Sequence, residues 1–443
     1  MTRGVPLIIG GGLIIVASVL FGLGSLEAAT ALYAAVGLIV VSAIGHRMAT
    51  SADKRWLPTA IAFAYVLKLV ASATRWGVLE FVYNGKGDAS GYHGAGIQLS
   101  TVWRAFDVPE ITIGTKFVDA ATGFLYVPYV PTFLGGFFFF ATLAFFGQIL
   151  MYAAFRKSAD PVRLRWYAAA IFFLPTIVYW PSSIGKESLM FLFIGLSVYG
   201  AASLLRDYRL RWAVAFALGV AGSAIIRPHV AILLVLALAV ALVVGKGQPG
   251  ARLAARRVVA IAVVGAVLVA SAAVVATKFN VDFSSGLDAT DDVGTILDNV
   301  EASTSKGGSG ITGSAITNPL DFPAGFVKVI FRPFPQEATN PLALISSLEG
   351  MILLGLFAWR FIPLVRNGWH MRRDPYLVFA FVFTMGFVAI FSAFNNFGLL
   401  ARQRSQVMPF FMALLIGLGW SAVRGSDEPG EDTAHQVPQH TST

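Results

Sequence analysis

A glycine-rich run, Tyr83-Asn-Gly-Lys-Gly-Asp88-Ala-Ser-Gly-Tyr92-His93, sets one carboxylate where backbone can approach a ligand closely. A second run, Trp180-Pro-Ser-Ser-Ile-Gly-Lys186-Glu187, breaks a helix with proline and glycine and opens the next on a Lys-Glu pair. Ser182 or Ser183 can cap that next helix, and a helix N-terminus beside a lysine is a ready anion site. Arg227-Pro228-His229, Phe331-Arg332-Pro333 through Glu337, and Asn395-Asn396-Phe397 through Arg402-Gln403-Arg404 add guanidinium and imidazole groups. Arginine binds phosphate oxygens in a bidentate fork, so the chemistry these residues share is recognition of an anion. Blander accounts exist for each alone: a snorkelling cation at the headgroups, a solvated loop aspartate, a helical hairpin with a neutralised ion pair. Lys68 and Arg75 stand apart, because Lys68 falls near the middle of an apolar run, where an ionisable group is costly and functional by default.

The elements that must hold these groups are apolar. The chain of 443 residues is 56% hydrophobic and 13% charged, with mean hydropathy +0.71. Soluble domains carry about a quarter charged residues, so this chain lacks a soluble protein's polar surface. There is no cysteine, which excludes a disulfide framework or a thiolate metal site. The net charge of +9 lies between apolar segments, a distribution that speaks for membrane topology and not for nucleic acid.

A span needs roughly 20 residues. Apolar runs at about 5–26, 28–45, 57–82, 133–155, 166–182, 187–205, 212–227, 229–245, 258–277, 342–360, 376–394 and 408–422 predict an all-α transmembrane bundle of about 12 spans over residues 1–424. The reversals at Ser183–Lys186 and Arg227–Pro228 are tight. The segments 46–56, 156–165, 206–211, 246–257 and 360–373 carry 3, 4, 3, 4 and 4 Lys plus Arg and alternate with the other loops. The positive-inside rule then predicts both termini in the cytoplasm and two large outer loops, about 83–132 and 278–341. The second is acidic, with Asp282, Asp288, Asp291, Asp292, Asp298, Glu301 and Asp321 against Lys306 alone over 279–325, and reads as flexible. Stretches Ile97–Phe106 and Phe117–Tyr126 read as short helices lying in the interface. Residues 425–443 read as a disordered cytoplasmic tail. With this topology Lys186, Arg227, Arg332, Arg402 and Arg404, with His93 and His229, all fall on the outer side, where orientation signals do not put them.

An early outer loop with an acidic residue, then Tyr and His, then two interfacial helices, resembles the GT-C superfamily of integral membrane glycosyltransferases. The run Phe173-Leu-Pro-Thr through Trp180-Pro-Ser-Ser-Ile-Gly-Lys-Glu, with Arg227-Pro-His, is similar to bacterial, especially actinobacterial, membrane proteins near the protein mannosyltransferase and aminoarabinose transferase group. The resemblance covers residues 80–235, and the rest by topology. It implies a multi-pass bacterial plasma-membrane enzyme that moves a sugar from a polyprenyl-phosphate carrier to a glycan, lipid or protein acceptor, with inversion. It also implies Asp88 as the general base, with Tyr92, His93, Lys186, Glu187, Arg227, His229, Arg332, Arg402 and Arg404 holding substrate. The chemistry is consistent: a phosphate leaving group needs cationic stabilisation, and an acceptor hydroxyl needs a base.

Two other functions fit the same residues. A polysaccharide polymerase or ligase acting on lipid-pyrophosphate-linked glycans would use the outer Arg and His groups without a metal. A lipid-linked sugar transporter would want charged groups or broken helices at the midplane. Asp88 and Glu187 could ligate a divalent cation, although no paired-carboxylate spacing asks for one; Asp107, Glu110 and Asp119 lie further along.

Overall fold

The computed structural model describes residues 25–245 and 318–419, apart from 52, 129, 159–160, 339 and 395, together with 258, 261–262 and 265. Among them there is no strand. The helices are α1 (Ser25–Met48), α2 (Leu57–Gly77, continued by one π turn over Val78–Val82), α3 (Asp88–Arg104), α4 (Thr115–Leu125), α5 (Phe133–Phe155), α6 (Pro161–Phe173), α7 (Pro175–Tyr179), α8 (Lys186–Asp207), α9 (Leu210–Ile226) and α10 (Pro228–Val244). After the gap come α11 (Phe322–Phe331), α12 (Pro341–Gly368), α13 (Pro375–Phe391) and α14 (Phe397–Gly419). The expected spans at 5–26 and 258–277, the basic turn at 246–257, the acidic stretch up to 317 and the tail lie outside the described residues or nearly so.

Among the described residues, four helical stretches are long and apolar enough to cross a membrane: Leu57–Val82, Phe133–Phe155, Lys186–Asp207 and Pro341–Arg373. Shorter apolar helices accompany them, including α9, α10, α11 and α13. Backbone hydrogen bonds must be satisfied internally in an apolar surround, which is why the described apolar runs are helical. α5, α8 and α9 form the tightest part of the bundle. Gly147 on α5 faces Gly195 on α8, and a Cβ on Gly147 would strike the Phe191 carbonyl, so only glycine allows this approach.

The described basic segments meet at one end of the bundle. Arg156 donates to the Met48 carbonyl and lies 3.4 Å from Asp53. Lys157 stands over the Tyr199 and Trp212 rings, at 5.0 and 5.5 Å. Arg163 donates to the Gly417 carbonyl at 3.2 Å, and Asn367 to that of Leu418 at 2.9 Å. At the opposite end, α3 and α4 pack on each other within the 83–132 segment.

Two boundaries differ from the sequence expectation in a way that matters. The run 166–182 is two helices, because Pro175 lacks an N–H and Leu174 is extended. The last helix starts at Phe397, eleven residues before the apolar run at 408, so Arg402 and Arg404 are inside α14 and not in the loop before it. Hydropathy missed that start because Arg402, Gln403, Arg404, Ser405 and Gln406 are polar, although all but Arg402 are buried.

Candidate functional site

The segment between α7 and α8 builds the centre of the site. Gly185 has φ +141°, a conformation that L side chains rarely adopt, and a Cβ there would sit 3.1 Å from the Tyr92 ring. That turn starts α8 on Lys186 and Glu187. Neither Ser182 nor Ser183 caps α8: the Ser182 hydroxyl donates to the Val178 carbonyl, and the Ser183 carbonyl accepts from Ser188 at 2.6 Å. Asp88 is the first residue of α3, where a carboxylate complements the positive end of the helix.

A cavity of about 640 Å³ lies at this end of the bundle. Asp88 and Tyr92 from α3, Lys186 and Glu187 from α8, Arg227 from the α9–α10 junction and Arg402 from α14 all line it. Arg75, Lys86, Tyr179, Trp180, Glu337 and Gln403 line it too. Five cations thus face three carboxylates. One of these, Glu337, is held by Arg332, whose Nε lies 3.0 and 3.1 Å from its two oxygens and whose Nη2 also donates to it. Burial alone would raise Glu337, but the hydrogen bonds from Arg332 and the Phe334 N–H outweigh it and hold the carboxyl below its usual range.

Glu187 is the hub. Arg227 Nη2 donates to its Oε1 at 3.1 Å, and Arg402 and Arg75 act on the same carboxylate electrostatically. Arg75 donates to the Tyr179 and Trp180 carbonyls and stands 5.4 Å from both rings. Arg402 lies 5.7 Å from the Trp180 ring and 3.8 Å from Asp88, whose side chain is 79% exposed at the rim. Arg227 Nη1 and Arg402 Nε are buried without a hydrogen-bond partner among the described residues. Cationic donors left in that state on a cavity wall are complementary to an anion. Lys186 reaches Thr115 on α4 at 2.8 Å.

Around this core the α3–α4 pair supplies neutral groups. Burial, and then the charge of Asp88, push the Tyr92 hydroxyl up to about 12, so it stays a proton donor at neutral pH. Asp119 on α4, which the sequence left far from Asp88, acts on the same tyrosine. Burial raises the Asp119 carboxyl, against Lys116 and Lys186.

Several expected site residues are elsewhere. His93 bonds to the Tyr126 hydroxyl at 3.0 Å and packs 5.0 Å from the Phe133 ring; burial lowers it, so it is neutral at pH 7. His229 packs 5.5 Å from Phe391, and Arg332 does not line the cavity but holds Glu337 and stands 5.1 Å from the Phe397 ring, both of which do. Arg404 corrects its expectation most clearly. It is fully buried, and its guanidinium donates to the Ile330 and Arg332 carbonyls and to Thr176 Oγ1, at 3.3, 3.0 and 3.3 Å. It closes the C-terminal end of α11, where carbonyls lose their helical partners. Lys328 does the same for α13, donating to the Ser392 carbonyl at 2.7 Å, and Lys68 donates to the Ile177 carbonyl at 3.0 Å.

Arg75, Trp180 and Glu337 are cavity residues to which sequence reasoning gave no role in the site. An arginine late in an apolar run was the signal for the first, and the other two stand at the ends of runs already singled out, Trp180–Glu187 and Phe331–Glu337. Among the described residues no group of three His, Asp or Glu side chains gathers to hold a metal ion. Asp88 and Glu187 each face a guanidinium, a poor donor set for a divalent cation. No family model, no curated protein and no solved structure matches this chain.

Proposed function

We propose that the protein is a membrane glycosyltransferase that moves a sugar from a polyprenyl-phosphate carrier to a cell-envelope acceptor at the non-cytoplasmic face of the bacterial plasma membrane. The observation that carries this reading is the meeting of Arg227, Arg402 and Lys186 on one cavity with the Asp88 carboxylate at its rim, where Arg227 Nη1 and Arg402 Nε are buried without a hydrogen-bond partner among the described residues. The acceptor oxygen attacks the anomeric carbon as its proton passes to Asp88. The bond from that carbon to the phosphate oxygen breaks, and the phosphate leaves with its extra charge held by Arg227, Arg402 and Lys186. Inversion follows from a single displacement. The proposed orientation puts the end with the basic turns in the cytoplasm. Because the chain has no cysteine, single cysteines test it: Pro109→Cys should react with an impermeant maleimide added outside intact cells, and Arg209→Cys should not.

The decisive assay uses purified protein in nanodiscs with a polyprenyl-phosphate-linked radiolabelled sugar. Transfer is expected, and Asp88→Asn should lower it by about 10²–10⁴, the usual contribution of a general base. A polymerase or ligase acting on lipid pyrophosphates is the second reading. It is favoured by the contact of Asp88 with Arg402, which leaves the cations as the better placed working groups. In that case Asp88→Asn stays largely active and pyrophosphate-linked glycans are the substrates. Flipping of the labelled lipid with no transfer product rejects both.

A further inference from the structure

A second cavity, a groove of about 520 Å³, opens on the flank of the bundle where α6, α7, α12 and α14 meet. On α12 it takes Ile345, Leu348, Ile352, Leu356, Trp359 and Arg360, whose spacing of three and four puts them on one face of the helix. Ile345, Leu348, Ile352 and Trp359 are exposed, and α6 adds an exposed Trp166. A contiguous apolar face of this kind marks a place of contact.

The two ends of the groove differ in chemistry. One is hydrocarbon, formed by Phe173, Leu174 and Pro175 at the break between α6 and α7. The other holds Trp166, Trp359 and Arg360, whose guanidinium carbon stands 4.2 Å from the centre of the Trp359 ring. This is the end where the basic segments gather. Arg163, on the turn before Trp166, donates to the Gly417 carbonyl, next to Ile416 in the groove wall. Indoles beside an arginine are the mark of the headgroup level of a membrane. The length of α12 agrees. Its first turn lines the cationic cavity with Leu342 and Ala343, and Arg360 lies about 28 Å beyond Pro341 at 1.5 Å per residue, close to the ~30 Å of a hydrocarbon layer. Arg360 therefore meets the headgroups of the opposite leaflet.

Charge then selects the head. Glu349 is the one carboxylate among the described lining residues. It lies about 16 Å from Arg360 along α12. Thr176 donates to its Oε2, and Arg404 acts on it electrostatically. A net negative head is thus attracted at Arg360, whereas the ammonium of a zwitterionic head meets a like charge there.

We propose that this groove binds one anionic phospholipid, its phosphate on Arg360 between the two indoles and one acyl chain lying along α12. A leaflet is about half of the ~30 Å layer, so the chain ends between Ile352 and Leu348. The site is separate from the cationic cavity and does not depend on what is transferred there.

The test uses the full chain in nanodiscs and two probes, phosphatidylglycerol and phosphatidylcholine, each with a diazirine at the end of one acyl chain. Mass spectrometry maps the crosslinks, which are expected at Leu348 and Ile352. The anionic probe should label about fivefold better, the value of one basic group facing an anionic lipid. Arg360→Gln should lower its labelling to that of the zwitterionic probe and leave the latter unchanged, and Arg360→Lys should restore the preference. Leu356→Trp keeps Arg360 and both indoles and should block both probes by filling the groove, so the proposal stays testable even if the glutamine variant fails to fold. Equal labelling of the wild-type chain by the two probes overturns the proposal, as does a preference that survives in Arg360→Gln or labelling of Leu356→Trp at the wild-type level. Absence of lipid crosslinks from the groove, as when a second copy of the chain covers it, overturns it too.

Discussion

Two sets of cations divide this molecule. Arg404, Lys328 and Lys68 lie inside the bundle, and each donates to a backbone carbonyl at or beside a helix break. Arg227, Arg402 and Lys186 stand at a cavity, against carboxylates or a hydroxyl. The side chains are of the same kinds, and Arg402 and Arg404 are only two residues apart. Their direction around α14 separates them, since positions two apart on a helix face different ways. A cation in an apolar chain is thus a structural cap where a helix ends inside the bundle. Arg75 combines the two placements, lining the cavity while donating to the Tyr179 and Trp180 carbonyls.

The largest test of this division is Arg404→Ala. It removes the donor to the carbonyls of Ile330 and Arg332 and to the Thr176 hydroxyl, at about 1–3 kcal/mol for each buried acceptor left unmet. Thermal unfolding in detergent measures it. An unchanged Tm with lost anion binding would move Arg404 into the cavity set. Next, Arg227→Ala should lower transfer by about 10²–10³, the effect of one charge-stabilising donor. Its Tm should fall only slightly, because Arg75 and Arg402 still compensate Glu187. A large fall in Tm with normal turnover of the surviving protein would make Arg227 another cap.

The smallest effect belongs to pH. Burial lowers His93, so the unfolded chain binds its proton more readily than the folded one. Stability from this group is present above the unfolded value of about 6.5 and is lost as pH falls below it. His93→Gln keeps a partner for Tyr126 without titrating. It should flatten a modest decline in Tm between pH 7.5 and 5.5, and an unchanged slope would assign the decline to other groups.

Much of this arrangement was legible in the residues, and the failures have physical causes. Apolar runs at 133–155, 187–205, 212–227 and 229–245 gave their helices within a few residues, because helix and burial follow from the same composition. Pro181 and Gly185 marked the break that opens the site, whereas the break at Pro175 falls inside the run 166–182, which hydropathy reads as one span. The helical start of α14 was hidden because hydropathy cannot distinguish polar residues that are buried from polar residues in a loop. Glu349 lay unremarked within an apolar run, although an acid there is as unusual as Lys68. The meeting of Asp119 with Tyr92 and Lys186, and of Glu337 with the cavity, depends on packing between distant segments, which no spacing encodes.

The short helices beside Arg227 carry a further consequence. α9, α10 and α13 have 17 residues each and pack side by side, whereas α5 and α8 have 23 and 22. At 1.5 Å per residue the first three are about 25 Å long, short of the ~30 Å hydrocarbon layer. A bilayer meeting that flank is under hydrophobic mismatch and must thin or the helices must draw headgroups inward. The protein would then travel with a dimple in the membrane, deepest where α9 turns into α10, bringing lipid phosphates down to Arg227. Thickening the bilayer with longer acyl chains would flatten that dimple and lift the phosphates away.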